Sequence, residues 1–420
     1  MASQERILKN YEAAKEEFAS WGVDTEKVLE KFDTVKMSMH CWQGDDIKGF
    51  EPVGDIGSQN VVTGNYPGAA RNGEELRGDI DFALSMSPFQ HKVNIHSCYG
   101  EFGRDRKDVT IEDFSKWIDW AKEKGYGIDL NGSFFAHKMM NNGFSYASLD
   151  KATRDYWVDV AKGTREISYA IGKELGEVCY NNLWIPDGLK DTPANRFRYR
   201  EVLTNALDEI FAKKYEGNHH VDTLEGKLFG IGVESFTVGS HEFYLGYAAS
   251  HRGNGIGVCL DSGHYHPTEQ VADKLSAVTP FVDHVLLHIS RGVRWDSDHI
   301  VVQSDELSAI MNEMSRGNLF GKVAMGLDYF DASINRIAAW TIGMRAAAKT
   351  VLTSLLEPFA MIDKAELDGD FTSRLALMDE FKNLPYNAVW DYLLMKKGIV
   401  DGRTALENIK TYEKDVLSKR

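Results

Sequence analysis

The sequence predicts an α/β protein: a (β/α)8 TIM barrel with helices in front of it and a helical extension behind it. Two observations lead there. Short apolar runs alternate with helical sequence, the mark of parallel strands joined by crossover helices, and eight such runs indicate a closed barrel rather than an open sheet. Several of the runs also end in an acid or a histidine, at the strand ends where barrel enzymes carry their sites.

In chain order, residues 4–22 form an amphipathic helix with Ile7, Tyr11, Ala14, Phe18 and Trp21 on one stripe. Gly22 ends it, and Asp24 caps a second helix that runs through Phe32. TVKMSMHCW (34–42) is the first strand-like run. The Gly-rich stretch 43–73 follows, long enough to be functional; it is expected to cover an active site, its own or a neighbour's, with Tyr66 as its apolar tip. The remaining runs are KVNIHS (92–97), GYGIDLNGS (125–133), EVCYNNLWIPDG (177–188), GKLFGIGVES (226–235), GIGVCLDSGH (255–264), HVLLHIS (284–290) and GKVAMGLDYFD (321–331). Helical sequence trails them near 111–124, 151–174, 194–214, 241–250, 268–277, 304–316 and from 332 onward. The chain thus divides into N-terminal helices (1–33), a catalytic barrel (34–354) and a helical extension (355–420) that is expected to contact a neighbouring subunit.

Of the 420 residues, 43% are hydrophobic and 26% charged, as in ordinary globular proteins. A formal net charge of −15 lacks the basic face that nucleic-acid binding needs. No apolar run is long enough to span a membrane, and the charged N-terminal helix is unlike a signal peptide. Cys41, Cys98, Cys179 and Cys259 form no CxxC pair and read as buried free thiols. The expectation is a cytoplasmic protein acting on a small molecule, with neither nucleic acid nor membrane as partner.

The chemistry concentrates in DSGHYHPTE (261–269) and HVLLHISRGVRWDSDH (284–299). The last four strand ends offer Glu234, Asp261, His288 and Asp328 in turn, and adjacent strands would bring these around one ion. His264, Asp296 and Asp298, from the loops, would hold a second ion, with Asp261 as a bridge. Singly, a strand-end Asp is ordinarily a helix cap and a strand-end His a core residue. Together they are ligand-type residues on one rim, and carboxylates buried without a cation would be costly. His266 and His299 read as supporting residues, and His219 and His220, in EGNHHVD, as solvent-exposed. Trp42, Trp184, Phe236 and Phe330 at strand tips could wall a sugar pocket or simply fill the rim.

Several long strings carry a resemblance: SMHCWQGDD (38–46), GNYPG (64–68), NLWIPDG (182–188), KLFGIGVESFTVGS (227–240), LDSGHYHPTE (260–269), SRGVRWDSDH (290–299) and GLDYFDASINRIAAW (326–340). On these the chain resembles the L-rhamnose isomerase family over nearly its whole length. The resemblance implies a xylose-isomerase-like barrel, Mn²⁺ at two sites per subunit (Co²⁺ or Zn²⁺ as substitutes) and a homotetramer. The activity implied is interconversion of L-rhamnose and L-rhamnulose in rhamnose catabolism. It further implies that His96 contacts the ring-oxygen side of the sugar, and that Trp42, Trp184 and Phe330 bind substrate. Asp296 and Asp328 would join His96 in catalysis. The wider xylose-isomerase pattern has Glu-x-Lys on the fifth strand. Two residues after Glu234 stands Phe236, so the lysine is read as missing and its role falls to the second metal. With the acids committed to metal, the expected route is a hydride shift. A metal-dependent phosphodiesterase on a similar barrel, and a sugar-binding protein without catalysis, are the competing readings.

Overall fold

A computed structural model of the protein describes residues 3–42, 49–50, 64, 66–101, 103–135, 137–228, 235–293 and 297–420. Eight parallel strands close into a barrel in chain order: β1 (Lys36–His40), β2 (Gln90–His96), β3 (Gly127–Asn131), β4 (Cys179–Trp184), β5 (His220–Glu225), β6 (Ile256–Asp261), β7 (Val285–Ile289) and β8 (Val323–Leu327). The Ser38–Gly326 pairing joins β8 back to β1. The helices are α1 (Gln4–Ser20), α2 (Thr25–Phe32), α3 (Gly73–Leu84), α4 (Ser115–Lys124), α5 (Lys151–Leu175), α6 (Arg196–Ile210) and α7 (His241–Ser250). They continue with α8 (Val271–Val278), α9 (Asp305–Arg316), α10 (Arg336–Leu355), α11 (Phe359–Leu367), α12 (Phe371–Glu380), α13 (Tyr386–Lys397) and α14 (Gly402–Asp415). Among the described residues no helix is long and apolar enough to cross a membrane.

Local chemistry sets the ends of these elements. Asp24 accepts from the amides of Glu26 and Lys27 at the start of α2, as its cap position predicts. Gly125 and Gly176, at φ 71° and 69°, close α4 and α5 in the left-handed conformation that a side chain would resist. Helix α3 is not among the helices that the sequence predicts, because it follows a long Gly-rich stretch. Its signal is nonetheless present: Asn72 accepts from the amide of Glu75 and starts the helix. Most of the stretch before it (43–48, 51–63 and 65) lies outside the described residues.

The fifth strand departs from expectation. It is HVDTLE (220–225), not GKLFGIGVES (226–235), of which 229–234 lie outside the described residues. Phe236 instead pairs with Leu189 in a two-stranded antiparallel ladder outside the barrel. The reason is that β5 carries polar residues on both faces, so it reads as a loop. Facing the interior, Thr223 donates to Asn182 Oδ1 at 3.0 Å. Facing the helices, Asp222 meets Arg165 Nε at 2.8 Å, His220 Nε2 at 2.8 Å and Asn181 Nδ2 at 2.8 Å. His220 is therefore not the exposed loop histidine the sequence suggested.

Burial favours the neutral form of Asp222, but His220 and Arg165 overcome it and hold the acid at about 2. Its folded pKa lies below the ordinary carboxylate value. The stability it contributes is thus present above about pH 4 and fades as pH falls toward 2. Asp222→Asn should cost about 3–5 kcal/mol at neutral pH by leaving Arg165 buried and unpaired. Urea unfolding checks this, and the gap to the parent should narrow below about pH 4 and close toward pH 2.

The extension folds back on its own barrel. Tyr392 of α13 stacks on Tyr11 of α1, ring centroids 3.7 Å apart, and Tyr412 of α14 stacks on Phe82 of α3 at 4.2 Å. Arg420 makes two bonds to Asp79 of α3, at 2.6 and 2.8 Å, and one to the Gly68 carbonyl. Tyr66 is no free tip. Its hydroxyl donates to Glu413 at 2.7 Å, and its carbonyl accepts from Arg336 at the start of α10.

Candidate metal centre

The C-terminal ends of β5 to β8 bring four residues together. Ligand atoms of Glu225, Asp261, His288 and Asp328 all lie within 4.8 Å of one another, as do those of Asp261, His264 and Asp298. Asp261 belongs to both groups. Each position follows from strand geometry: Glu225 and Asp261 are the last residues of β5 and β6, and Asp328 follows β8 directly. Asp261 pairs with His288 in the ladder.

The carboxylates are held from behind. Asn182 donates to Glu225 Oε2, and the Gly263 amide donates to Asp261 Oδ1 at 2.7 Å. Trp42 Nε1 donates to Asp328 Oδ1 at 2.9 Å. His264 Nδ1 lies 3.1 Å from Glu225 Oε1, so a carboxylate of the first group orients the imidazole of the second. Asp298 has φ of 39°, a left-handed backbone unusual for an aspartate, and its carbonyl accepts from the Phe330 amide. Strain of this kind is common at functional sites.

The first group sets three carboxylates around a single imidazole. His288 Nδ1 sits 3.3 Å from both Glu225 Oε2 and Asp328 Oδ2, yet neither it nor Asp261 Oδ2 makes a hydrogen bond, and both are buried. Burial raises Asp261 to about 7, and the charges of Glu225 and Asp328 push it the same way. His288 is held well above its ordinary value: burial opposes the charge, but Cys259, Asp328 and Glu225 around it prevail. Carboxylates buried around one imidazole, with Asp261 Oδ2 and the His288 ring nitrogens making no hydrogen bond, fit a divalent cation of the Mn²⁺, Co²⁺ or Zn²⁺ kind, which would take the place of the proton these acids favour on His288.

Of the residues named from sequence, Asp261, His264, His288, Asp298 and Asp328 gather here. Glu234 and Asp296 lie outside the described residues. The position on β5 expected for Glu234 is held by Glu225, a consequence of the shifted strand. This also restores the lysine read as missing, because Glu225-Gly226-Lys227 is a Glu-x-Lys sequence at the end of β5. Lys227 Nζ lies 4.9 Å from the centroid of the Trp184 ring.

An aromatic arc borders the cluster. Trp42 lies on His96 with centroids 3.7 Å apart, His96 meets Phe135 at 6.4 Å, Phe135 meets Trp184 at 4.9 Å, and Trp184 meets His264 at 6.5 Å. Phe135 escaped the sequence reading because it follows β3 in an irregular loop. Arg106 holds that loop through the carbonyls of Ser133 and Phe135. Ser133, at φ 51°, places its hydroxyl 3.1 Å from His96 Nδ1. Burial keeps His96 neutral, well below its ordinary value. Phe330 is half-buried beside Asp328.

A family model described as L-rhamnose isomerase (RhaA) matches residues 5–420. The chain belongs to the L-rhamnose isomerase family. It is 50% identical to the L-rhamnose isomerase of Rhodopirellula baltica over 417 residues, covering 99% of this chain and 97% of that one. The L-rhamnose isomerase of Listeria innocua is 47% identical over 423 residues with both chains fully covered. That of Escherichia coli O127:H6 is 48% identical, covering 99% of each. Among solved structures, that of an L-ribulose 3-epimerase has a TM-score of 0.46 and 15% identity, covering 72% of this chain and 96% of the other. By family, then, the chain is an enzyme, an aldose–ketose isomerase.

Proposed function

We propose that the enzyme interconverts L-rhamnose and L-rhamnulose in rhamnose catabolism, using two divalent cations, Mn²⁺ foremost. The observation that carries this reading is the shared carboxylate: Asp261 stands in both ligand groups, in a family of sugar isomerases. Glu225, Asp261, His288 and Asp328 would hold one ion, and Asp261, His264 and Asp298 the other, with Asp296 as a further ligand. Bound there, the cations would polarise neighbouring oxygens of the open-chain sugar.

The protein's own groups have distinct tasks. Lys227 would donate to the sugar's O1 and stabilise negative charge on it. His96 would face the ring oxygen and hydrogen-bond to it, orienting the sugar for ring opening. Phe135 and Trp184 would exclude water. Hydrogen then passes with its electron pair from C2 to C1, while the proton of O2 is transferred to O1. Support for this route comes from the nearby imidazoles: burial lowers His40 to about 3 and His96 well below its ordinary value, which makes both poor acceptors of a C2 proton. With L-rhamnose deuterated at C2, the first L-rhamnulose formed should retain the label at C1, as read by NMR. Extensive washout into solvent at low conversion would point to a proton-abstracting base.

Stripping the enzyme with EDTA should abolish turnover, and Mn²⁺ or Co²⁺ should restore it. Undiminished activity in protein shown metal-free by elemental analysis would overturn the reading. A homotetramer is proposed with it. Leu367, Phe371 and Leu375 on α11 and α12 are exposed, which supports burial against another copy.

A further inference from the structure

Each carboxylate of the first ligand group has one oxygen committed to a donor of the protein: Glu225 to Asn182, Asp261 to the Gly263 amide, and Asp328 to the Trp42 indole. The first two donors sit within the barrel wall or the adjoining turn. The third is a large aromatic side chain two residues beyond β1, on the opposite side of the closing seam.

Asp328 is the member most in need of such a partner. Its side chain is 23% exposed, against 1–2% for Glu225, Asp261 and His288. A carboxylate on the open side of a cluster can rotate about its terminal torsion, which has no sharp minima. A bond to Oδ1 stops that rotation and leaves Oδ2 directed at His288 Nδ1, 3.3 Å away. The indole N–H is a donor and never an acceptor, so it cannot compete for a cation. Trp42 is itself held in place, since its ring packs against His96 at a centroid distance of 3.7 Å.

We propose that Trp42 is a positioning residue for the metal centre: its indole N–H fixes the Asp328 carboxylate, and the property it governs is metal affinity. The proposal rests on the metal reading above. It differs from the expectation that Trp42 is a wall of the sugar pocket, which would make sugar affinity the property at stake. Outer partners of metal ligands commonly control affinity by about tenfold to a hundredfold.

The test uses the full-length protein, stripped with EDTA and titrated with Co²⁺, whose visible spectrum reports both binding and coordination geometry. Trp42→Phe keeps an aromatic ring over His96 and removes the N–H. The metal Kd should rise about tenfold to a hundredfold, and the change should fall on metal affinity rather than on the KM for L-rhamnose measured at saturating metal. In an Asp328→Ala background the same substitution should add little further loss, because the acceptor of the indole N–H is already gone. Should Trp42→Phe fail to fold, benzothienylalanine at position 42 has nearly the shape of tryptophan and lacks the N–H, so it decides alone. Either variant binding Co²⁺ as tightly as the parent overturns the proposal, as does a rise confined to the sugar KM. If the parent itself binds no Co²⁺, the metal reading fails first, an outcome distinguishable from the other two.

Discussion

Asp261→Asn should lower kcat by about three orders of magnitude or more, the consequence of several kcal/mol of lost charge stabilisation. No other substitution at the cluster should cost as much, because Asp261 is the residue common to both ligand groups. Glu225, His288 and Asp328 would still surround the first position, but the second would retain only His264 and Asp298 among the described residues. Elemental analysis should accordingly find fewer ions per chain in the variant. The acid is also the one whose burial beside Glu225 and Asp328 raises it to about 7, so asparagine relieves a repulsion while removing a ligand. Stripped of metal, the variant should therefore melt no lower than the stripped parent. A variant with near-parental turnover and metal content would remove Asp261 from the centre.

Lys227→Met is expected to reduce kcat/KM for L-rhamnose by about a hundredfold to a thousandfold, as the loss of a preorganised charge at a developing oxyanion does. Methionine preserves an unbranched apolar stem against the Trp184 face, so packing is largely kept. Metal content should not change, since Lys227 belongs to neither ligand group. This split between turnover and metal binding distinguishes the residue from Asp261. If turnover is untouched, the ammonium has no part in catalysis.

Both residues illustrate what the sequence could reveal. Asp261, His264 and His288 were legible because GIGVCLDSGH and HVLLHIS are uninterrupted apolar runs with ligand residues at their tips. Lys227 and Glu225 were hidden for the opposite reason. HVDTLE satisfies its polar groups through Arg165 and Asn181 on one face and Asn182 on the other, contacts contributed by residues about 40 to 60 positions away. A strand stabilised by such distant partners has no hydrophobic signature of its own, and the more apolar GKLFGIGVES drew the assignment instead. One displaced strand moves two readings at once: Glu225 stands at the strand end expected of Glu234, which lies outside the described residues, and Lys227 follows it two positions on. Helices α1, α2 and α5 were read nearly to the residue because their caps and stripes are local. Phe135 and Trp42 show a further limit: ring-on-ring contacts across strands leave no trace in spacing.

The clasp formed by Arg420, Glu413 and Tyr66 also has a bearing on how the molecule is made. Asp79 is fully buried, yet its guanidinium partner lies 341 positions further along the chain. While a ribosome is still producing the barrel, Asp79 lacks this guanidinium and the Tyr66 hydroxyl lacks its acceptor Glu413. Closure of the β1–β8 seam must likewise wait for residues made more than 280 positions later. Folding of this enzyme is therefore a late event in its synthesis: the rim that holds Trp42 and Asp328 together cannot exist on a nascent chain that lacks β8, and it is secured only once the residues of α14 and beyond have emerged.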